Sequence, residues 1–463
     1  MKTHLGLVVA VCFVLPLVGC TPALPYRTSL PTPPPDCSQI TSGAVSGPCQ
    51  NSIRERTDSY DLFFVEFDDQ GLLYPEDKDG VGVAWQQIDH VMKQLRELGS
   101  THKGISLFVF VHGWKHNAAP DDDNVIGFRS MLHSASLVEQ SSQIPHRVVG
   151  IFVSWRGLSA KVEPFLELSF WDRKFTAQHV AAGSARALFS RLKGFQCSQN
   201  DPLKGEACRA KGISGRPKVR VILIGHSFGG LILFNAISES LVESLTYAED
   251  SGNEEAPARR FGDMIVLLNP AFEATRFTPL HRIAIQRKYA QYQAPIFVSI
   301  TSTADWATGK AFPLGRFFNT LFETTASPEE SKANNNTIGH MPLYITHKLS
   351  LNKEEPSACA GWKYLSTVKP EDQPQQMRLN LSAETTNSSA FFAGKTLLPE
   401  HWVRPFCGGA VLTHTQYDPN SPIWNVETDK DIVSSHDDIS GPVLTNFLRQ
   451  LYHDSVLFPL AVP

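Results

Sequence analysis

One serine of the chain lies in a pentapeptide whose residue types and spacing suit covalent catalysis. Residues 225–229 read Gly-His-Ser-Phe-Gly, a G-x-S-x-G pattern with Ser227 at its centre. An apolar, β-branched run ends at Gly225, and residues that suit a helix follow Gly229. A strand, a sharp turn and a helix would hold the Ser227 hydroxyl at the apex, where free helix N–H groups point at its target. The predicted chemistry is nucleophilic attack by Ser227.

The elements that must position this serine alternate along the chain. From residue 60 onward, apolar strand-like runs alternate with helical periodicity, which predicts an α/β domain with a mostly parallel central sheet flanked by helices. The predicted strands are 62–67, 72–74, 105–111, 148–154, 219–224, 264–268, 296–302 and a last strand framed by 423–426 and 431–433. The predicted helices are 83–98, 124–138, 173–192, 229–245 and 443–452. Two segments do not fit the alternation: 193–216, interpreted as a polar loop, and 307–421, interpreted as a long insertion or lid before the last strand.

Two motifs and their order resemble the α/β-hydrolase fold over residues 60–455. The motifs are the turn Gly225–Gly229, in which both glycines must be small, and His112-Gly113-Trp114, which follows the predicted strand 105–111. The resemblance implies an α/β-hydrolase domain over residues 56–463. It also implies an esterase- or lipase-like serine hydrolase that uses a serine, an acid and a histidine in that chain order, without a cofactor or a metal.

The resemblance also implies where the acid and the base lie. In that family the acid follows a strand downstream of the serine, which suits Asp305 because active sites of open α/β sheets gather at the carboxyl ends of strands. Glu273 is an alternative, and Asp263 is another that lies at the wrong end of its strand. The base comes last, before the final helix, which suits His436. His340, within the predicted insertion, is the alternative.

Stabilisation of an oxyanion requires N–H donors near the serine. The residue after the nucleophile, Phe228, supplies one backbone N–H, and the resemblance assigns the second to Trp114. His112 is expected to brace the turn by hydrogen bonds rather than to act in catalysis. His112 and His116 follow a strand rather than lying on one face of a helix, so we do not predict a metal site there.

The N-terminus resembles a bacterial lipoprotein signal. Lys2 precedes an apolar run over 5–18, which is too short for a spanning helix, and the run leads into Leu-Val-Gly-Cys20. The resemblance implies that residues 1–19 are removed and that Cys20 is acylated, for example with palmitate, which would anchor the protein to the envelope. Thr21, rather than an aspartate, favours the outer membrane, on its periplasmic or surface side.

Residues 20–55 are predicted to be the lipidated cysteine and a proline-rich tether, because prolines crowd the stretch 21–35. An even number of further cysteines in an exported chain suggests disulfides. Several pairings are possible, and proximity in the sequence favours Cys37–Cys49, Cys197–Cys208 and Cys359–Cys407.

Composition narrows the class of function. The chain has 463 residues, of which 42% are hydrophobic and 19% charged, as in ordinary globular proteins. The net charge is −4 and no basic stripe occurs, so no nucleic-acid partner is predicted. The expected partners are a small-molecule or lipid ester and the membrane. Two other functions stay open: a catalytically silent scaffold or binding module, and a peptidase or acyltransferase, which would share the acyl-enzyme chemistry. The substrate and the oligomeric state also stay open.

Overall fold

The computed structural model describes residues 23–41, 46–75, 83–142, 144–159, 165–200, 217–250, 262–289, 293–320, 323–352, 354–393, 395 and 398–457. The predicted signal, the predicted lipidation site Cys20 and the predicted disulfide partner Cys208 lie outside the described residues.

The described strands form a single sheet that is parallel through most of its width. In chain order they are β1 (Arg54–Arg56), β2 (Tyr60–Phe67), β3 (Ile105–Val111), β4 (Arg147–Trp155), β5 (Val219–His226), β6 (Met264–Leu268), β7 (Phe297–Ser302), β8 (His347–Leu351), β9 (Val403–Pro405), β10 (Ala410–His414) and β11 (Ile423–Thr428). Across the sheet the order is β1-β2-β4-β3-β5-β6-β7-β11-β8-β10-β9. In this order, every neighbouring pair from β2 to β8 is parallel. The pairs at the two ends of the sheet are antiparallel: β1 with β2, β10 with β8, and β10 with β9.

Helices cover both faces of the sheet. They are α1 (Gln87–Thr101), α2 (Asp123–Gln140), α3 (Phe165–Ala182), α4 (Ser184–Asn200), α5 (Phe228–Asp250), α6 (Thr278–Gln286), α7 (Phe312–Asn319), α8 (Pro328–Asn335), α9 (Gln373–Phe392) and α10 (Pro442–Tyr452). The predicted α/β architecture, with a largely parallel sheet flanked by helices, is confirmed. Parallel strands need long crossover connections, and here helices supply most of them.

The core has two layers because side chains alternate across each strand. Leu107 and Val109 of β3 pack with α1, α4 and α5 on one face. Phe108 and Phe110 of the same strand pack with α2, α9 and α10 on the other. Within α5, the stretch Phe228–Thr246 is long and apolar enough to span a membrane by length and composition, but 61% of its most apolar window is buried in this core.

The predicted elements differ from the structure at positions where contacts between distant residues determine the ends of a helix or strand. The strands predicted at 105–111 and 264–268 are confirmed residue by residue. The single helix predicted at 173–192 is wrong: α3 and α4 are separate and flank Gly183, where a Cβ would lie 2.5 Å from the Gly71 carbonyl oxygen. The polar loop predicted from 193 is also wrong at its start, since α4 continues to Asn200. Neither 72–74 nor 431–433 forms a strand of the sheet.

The predicted insertion 307–421 has two parts. Near its start, α7 and α8 follow the carboxyl end of β7. Its second half is no lid, because β8, β9 and β10 extend the sheet beyond β11, and α9 covers one face. These strands are short, and β8 alternates buried and exposed side chains at its start. Their sequence pattern is therefore hard to distinguish from the surrounding polar residues.

The N-terminal segment packs against the domain. Arg27 is fully buried, its side chain pairs with Glu55 at 3.1 Å, and its backbone N–H donates to the Glu66 carboxylate at 2.7 Å. A buried charge requires such partners, so the contacts fix the segment in place. From Tyr26 onward, the described residues of the stretch predicted to be a tether therefore lie on the domain instead of extending from it. Two of the predicted disulfides, Cys37–Cys49 and Cys359–Cys407, are present.

Candidate active site

Ser227 lies at a sharp turn between β5 and α5. Its φ of 54° is in the left-handed region, which is strained for a residue with a side chain. Two glycines allow this turn. A Cβ at Gly229 would lie 2.1 Å from the Val111 carbonyl oxygen, and a Cβ at Gly225 would lie 2.8 Å from the Gly229 carbonyl oxygen. The G-x-S-x-G spacing therefore has a steric reason at both glycines.

Ser227, His436 and Asp305 form one chain of hydrogen bonds. The Ser227 hydroxyl lies 2.7 Å from His436 Nε2, and His436 Nδ1 lies 2.8 Å from Asp305 Oδ2. A carboxylate accepts only, so Nδ1 carries the proton and Nε2 is free to accept from the serine. The three residues follow β5, β7 and β11, at the carboxyl edge of the parallel sheet. In this tautomer the imidazole can remove a proton from the Ser227 hydroxyl.

Asp305 is held as an anion by its surroundings. Its carboxylate is buried and accepts hydrogen bonds from the backbone N–H groups of Ala307 and Thr308 and from the Thr308 hydroxyl. Burial raises the pKa of Asp305, but the hydrogen bond and charge of His436 and the bonds from Thr308 outweigh it, so the pKa lies below its usual value. The carboxylate therefore stays available to hold the protonated imidazole. Thr308, three residues after the acid, is not among the predicted site residues.

The main chain at His436 is held by two side chains whose positioning role was not predicted. Asn269 Nδ2–H donates to the His436 carbonyl oxygen at 2.9 Å, and His226 Nε2–H donates to the same oxygen at 3.0 Å. Asn269 follows β6 with a φ of 43°, and its Oδ1 accepts from the Ser302 N–H at 3.0 Å. An asparagine directly after a strand and before a proline was the available signal. Asn269 thus links the loops that carry the acid and the histidine.

We expect Asn269→Gly to lower kcat for a substrate of this site by on the order of tenfold, with KM little changed. Glycine keeps the positive φ but removes the hydrogen bonds that link the two loops, each worth ~1 kcal/mol. Asn446→Ala is the control, because it removes a buried hydrogen bond to the Cys407 carbonyl oxygen on another part of the domain. Steady-state kinetics beside thermal unfolding separates the two variants. If both lose stability and neither loses kcat, Asn269 does not position His436.

His226 is buried and electrically neutral. Burial and the neighbouring His436 hold the pKa of His226 well below its usual value. Its Nε2 proton is committed to the His436 carbonyl oxygen, and its Nδ1 has no hydrogen-bond partner among the described residues. His226, His436 and Asp437 come close enough together to hold a metal ion, but both ring nitrogens of His436 are already bonded to the serine and the acid. The cluster thus offers no complete ligand set.

The turn after β3 lies against the serine. A Cβ at Gly113 would be 2.7 Å from the Ser227 Cβ, so only glycine fits there. Among the described residues, neither the Trp114 backbone N–H nor the Phe228 backbone N–H has a protein acceptor. Phe228 is the first residue of α5, where N–H groups have no partner within the helix. Within the described part of the chain, the two predicted oxyanion donors therefore have no competing protein acceptor, and their role stays a prediction.

His112 braces this turn. Its Nδ1–H donates to the Gly113 carbonyl oxygen at 2.8 Å, and its Nε2 accepts from the Ser154 hydroxyl at 2.9 Å and from the Trp155 N–H at 3.2 Å. Burial lowers the pKa of His112 to about 4, so the ring is neutral near pH 7. A neutral ring with both nitrogens bonded in this way fixes the backbone and takes no part in proton transfer.

The alternative acid and base candidates have other partners. Glu273 pairs with Lys174, Arg276 and Arg316. The carboxylate of Asp263 accepts from the Val221 N–H at the other end of the sheet, at 2.7 Å. His340 Nε2 lies 3.0 Å from the Thr308 hydroxyl, which itself donates to Asp305. His340 is therefore linked to the acid only through Thr308 and is not bonded to Ser227.

A separate apolar cavity of about 190 Å³ lies between the sheet, α2 and α10. Its wall includes Phe110, Ile224 and Leu448, and His116 and Asp437 also line it, but Ser227 does not. The cavity therefore lies beside the hydrogen-bonded residues Ser227, His436 and Asp305, and none of the three lines it.

Comparison with known proteins yields no relative: no family model, no curated protein and no solved structure matches this chain.

Proposed function

We propose that the protein is a serine hydrolase that cleaves carboxylic esters through Ser227, His436 and Asp305. The observation that carries the proposal is the hydrogen-bonded chain from the Ser227 hydroxyl through both nitrogens of His436 to a buried carboxylate. Each neighbouring pair is within hydrogen-bond distance, and the Ser227–His436 pair is at the distance that proton transfer requires. The order of the three residues in the chain and the glycine-bounded turn support the finer proposal of an α/β-hydrolase fold.

The first step is attack on the carbonyl carbon of the ester. Ser227 Oγ forms a bond to that carbon while His436 Nε2 takes its proton, and the carbonyl π electrons move to oxygen. The developing oxyanion is bound by the backbone N–H groups of Phe228 and Trp114. Loss of one such donor typically costs ~3 kcal/mol of transition-state stabilisation.

Collapse of the tetrahedral intermediate expels the alcohol, which takes the proton from His436 Nε2, and leaves an acyl group on Ser227. Water then attacks the acyl carbon as His436 again removes a proton. The carboxylic acid leaves and Ser227 regains its proton. Asp305 keeps the imidazole in the productive tautomer and stabilises it while it is positively charged. No cofactor enters these steps.

We also propose that the enzyme works in the bacterial envelope, anchored by lipid on Cys20, on the periplasmic or surface side of the outer membrane. The Leu-Val-Gly-Cys sequence supports the anchor. The disulfides Cys37–Cys49 and Cys359–Cys407 agree with an oxidising compartment.

The proposed function predicts hydrolysis of short p-nitrophenyl esters and covalent labelling by a fluorophosphonate. We expect mass spectrometry to find the phosphonyl group on the peptide that carries Ser227, because the histidine bonded to that hydroxyl is in turn bonded to a buried carboxylate. The matched p-nitroanilides separate an esterase from a peptidase, since an amide that reacts as fast as the ester would favour a peptidase. No labelling and no hydrolysis would favour a silent scaffold.

A further inference from the structure

A stripe of large apolar side chains faces solvent immediately after the acid. The residues from Ala307 to Asn319 are helical throughout, first as a π-turn and then as α7. Trp306, Leu314 and Phe317 are 67%, 62% and 59% exposed, and Lys310 is exposed between them. Their spacing places them on one side of the helix, while Thr308 and Phe312 point inward and are buried. An apolar helix face turned outward indicates a binding surface.

This apolar stripe is fixed to the carboxyl edge of the sheet. Asp305 follows β7 and binds the first turn of the helix through the N–H groups of Ala307 and Thr308 at 2.9 and 3.2 Å. The stripe therefore stands on the same edge as the catalytic candidates and has a defined orientation relative to them. Phe312, on the inner side, packs against Trp171 at 5.8 Å between ring centroids, which leaves the opposite side facing outward.

The start of the described chain lies at the same edge. Leu24 lines a small surface cavity together with Asn117, Trp155 and Leu158. Trp155 is the last residue of β4, and Asn117 follows β3, so both mark the carboxyl ends of parallel strands. Leu24 is itself 67% exposed. Three residue steps separate Cys20 from Ala23, a reach of about 10 Å when fully extended.

We propose that the apolar stripe docks on a lipid bilayer, so that the carboxyl edge of the sheet faces the membrane. A lipid on Cys20 would hold Leu24 within about 15 Å of the bilayer, and the edge that carries Leu24 is the edge that carries the stripe. Apolar side chains inserted at the headgroup boundary leave water, and the exposed Lys310 ammonium reaches lipid phosphates from the same surface.

The proposal is tested by vesicle binding of a chain that begins at Thr21. This chain contains every described residue but not the predicted lipid, so binding reports the protein surface alone. Vesicles of phosphatidylethanolamine and phosphatidylglycerol are sedimented with it. We expect the wild type to bind and the double variant Trp306→Ser, Leu314→Ser to bind at least about tenfold more weakly, because two large apolar side chains no longer leave water.

The matched control is the double variant Leu379→Ser, Val403→Ser, which removes two side chains of 54% exposure from α9 and β9. It should bind like the wild type. No wild-type binding, or equal losses in both variants, would overturn the proposal. So would a change from dimer to monomer in light scattering with vesicle binding intact, since the stripe would then join two copies. If the stripe double variant does not fold, the single variant Leu314→Gln replaces it, and Leu379→Gln is then the control for vesicle binding.

The vesicle assay does not require catalysis. Ser227→Ala protein should bind vesicles like the wild type whether or not the chain hydrolyses esters, so failure of the proposed function leaves this result unchanged. Trp306 supplies a second readout: its fluorescence should shift to shorter wavelength with vesicles and be quenched by brominated acyl chains, and Trp306→Phe should remove the larger part of both effects. An unchanged spectrum would contradict the proposal.

Discussion

Replacing Ser227 by alanine should reduce kcat for ester hydrolysis by on the order of 10⁶-fold, because in serine hydrolases loss of the nucleophile costs about as much as loss of the whole triad. The substitution removes one oxygen atom, the one that lies 2.7 Å from His436 Nε2. Alanine also keeps a side chain at the φ of 54°, so the turn gains no new backbone strain. Initial rates on p-nitrophenyl acetate, together with thermal unfolding, measure the effect separately from stability.

Ser299→Ala is the matched control. Ser299 is a buried serine of β7 whose hydroxyl has no hydrogen-bond partner among the described residues. Its loss should change neither hydrolysis nor fluorophosphonate labelling. If the Ser227→Ala protein stays folded and hydrolyses the ester at the wild-type rate, Ser227 is not the nucleophile and the proposed function is wrong.

Asp305→Asn should reduce kcat by about 10⁴-fold, the size of effect that the same change has in serine proteases. The carboxylate can only accept from His436 Nδ1, which leaves Nε2 as the acceptor for the serine proton. An amide can donate to Nδ1 instead, so the ring proton moves to Nε2 and the base is lost. The positive ring formed during attack also loses the negative partner that stabilises it. The rate of fluorophosphonate labelling should fall together with kcat.

Asp437→Asn is the control that distinguishes two effects of Asp305: fixing the tautomer of His436, and placing a negative charge near its ring. Asp437 is the next residue after His436 and its carboxylate lies near the same ring, but both ring nitrogens of His436 are bonded to Ser227 and Asp305 instead. Removing that charge should change kcat by less than about threefold, as expected for a charge that solvent screens. Equal losses in the two variants would show that Asp305 acts only through its charge, and would contradict its assignment as the orienting acid.

How far the sequence predicts this protein depends on how local each signal is. The strands at 105–111 and 264–268 are buried on both faces, so their nearly continuous apolar runs mark their ends without help from the rest of the chain. The break at Gly183 depends on contact with Gly71, more than a hundred residues away, and no local pattern reports it. The strands β8 and β10 likewise form only because they pair with each other, and β8 also pairs with β11.

The candidate site divides in the same way. Residues 225–229 alone predict a serine at the apex of a glycine-bounded turn, because the steric need for both glycines arises within the strand, the turn and the helix. For the base, His436 and His340 have equal chemistry, and only their order in the chain favours the first. The role of Asn269 was not predicted, because its place between a strand and a proline is only a local signal and its partner is a backbone carbonyl oxygen 167 residues away.

By itself, the sequence determined that the chain has an α/β architecture with a serine at a strand-to-helix turn, because periodicity and steric demand act within a few residues. Only the tertiary structure decided which groups meet that serine. His436 is 209 residues from Ser227 and Asp305 is 131 residues from His436, and the three converge because parallel strands bring their carboxyl ends to one edge. The tertiary structure also determined that the apolar stripe beside Asp305 faces solvent, since only packing shows which side of a helix remains exposed.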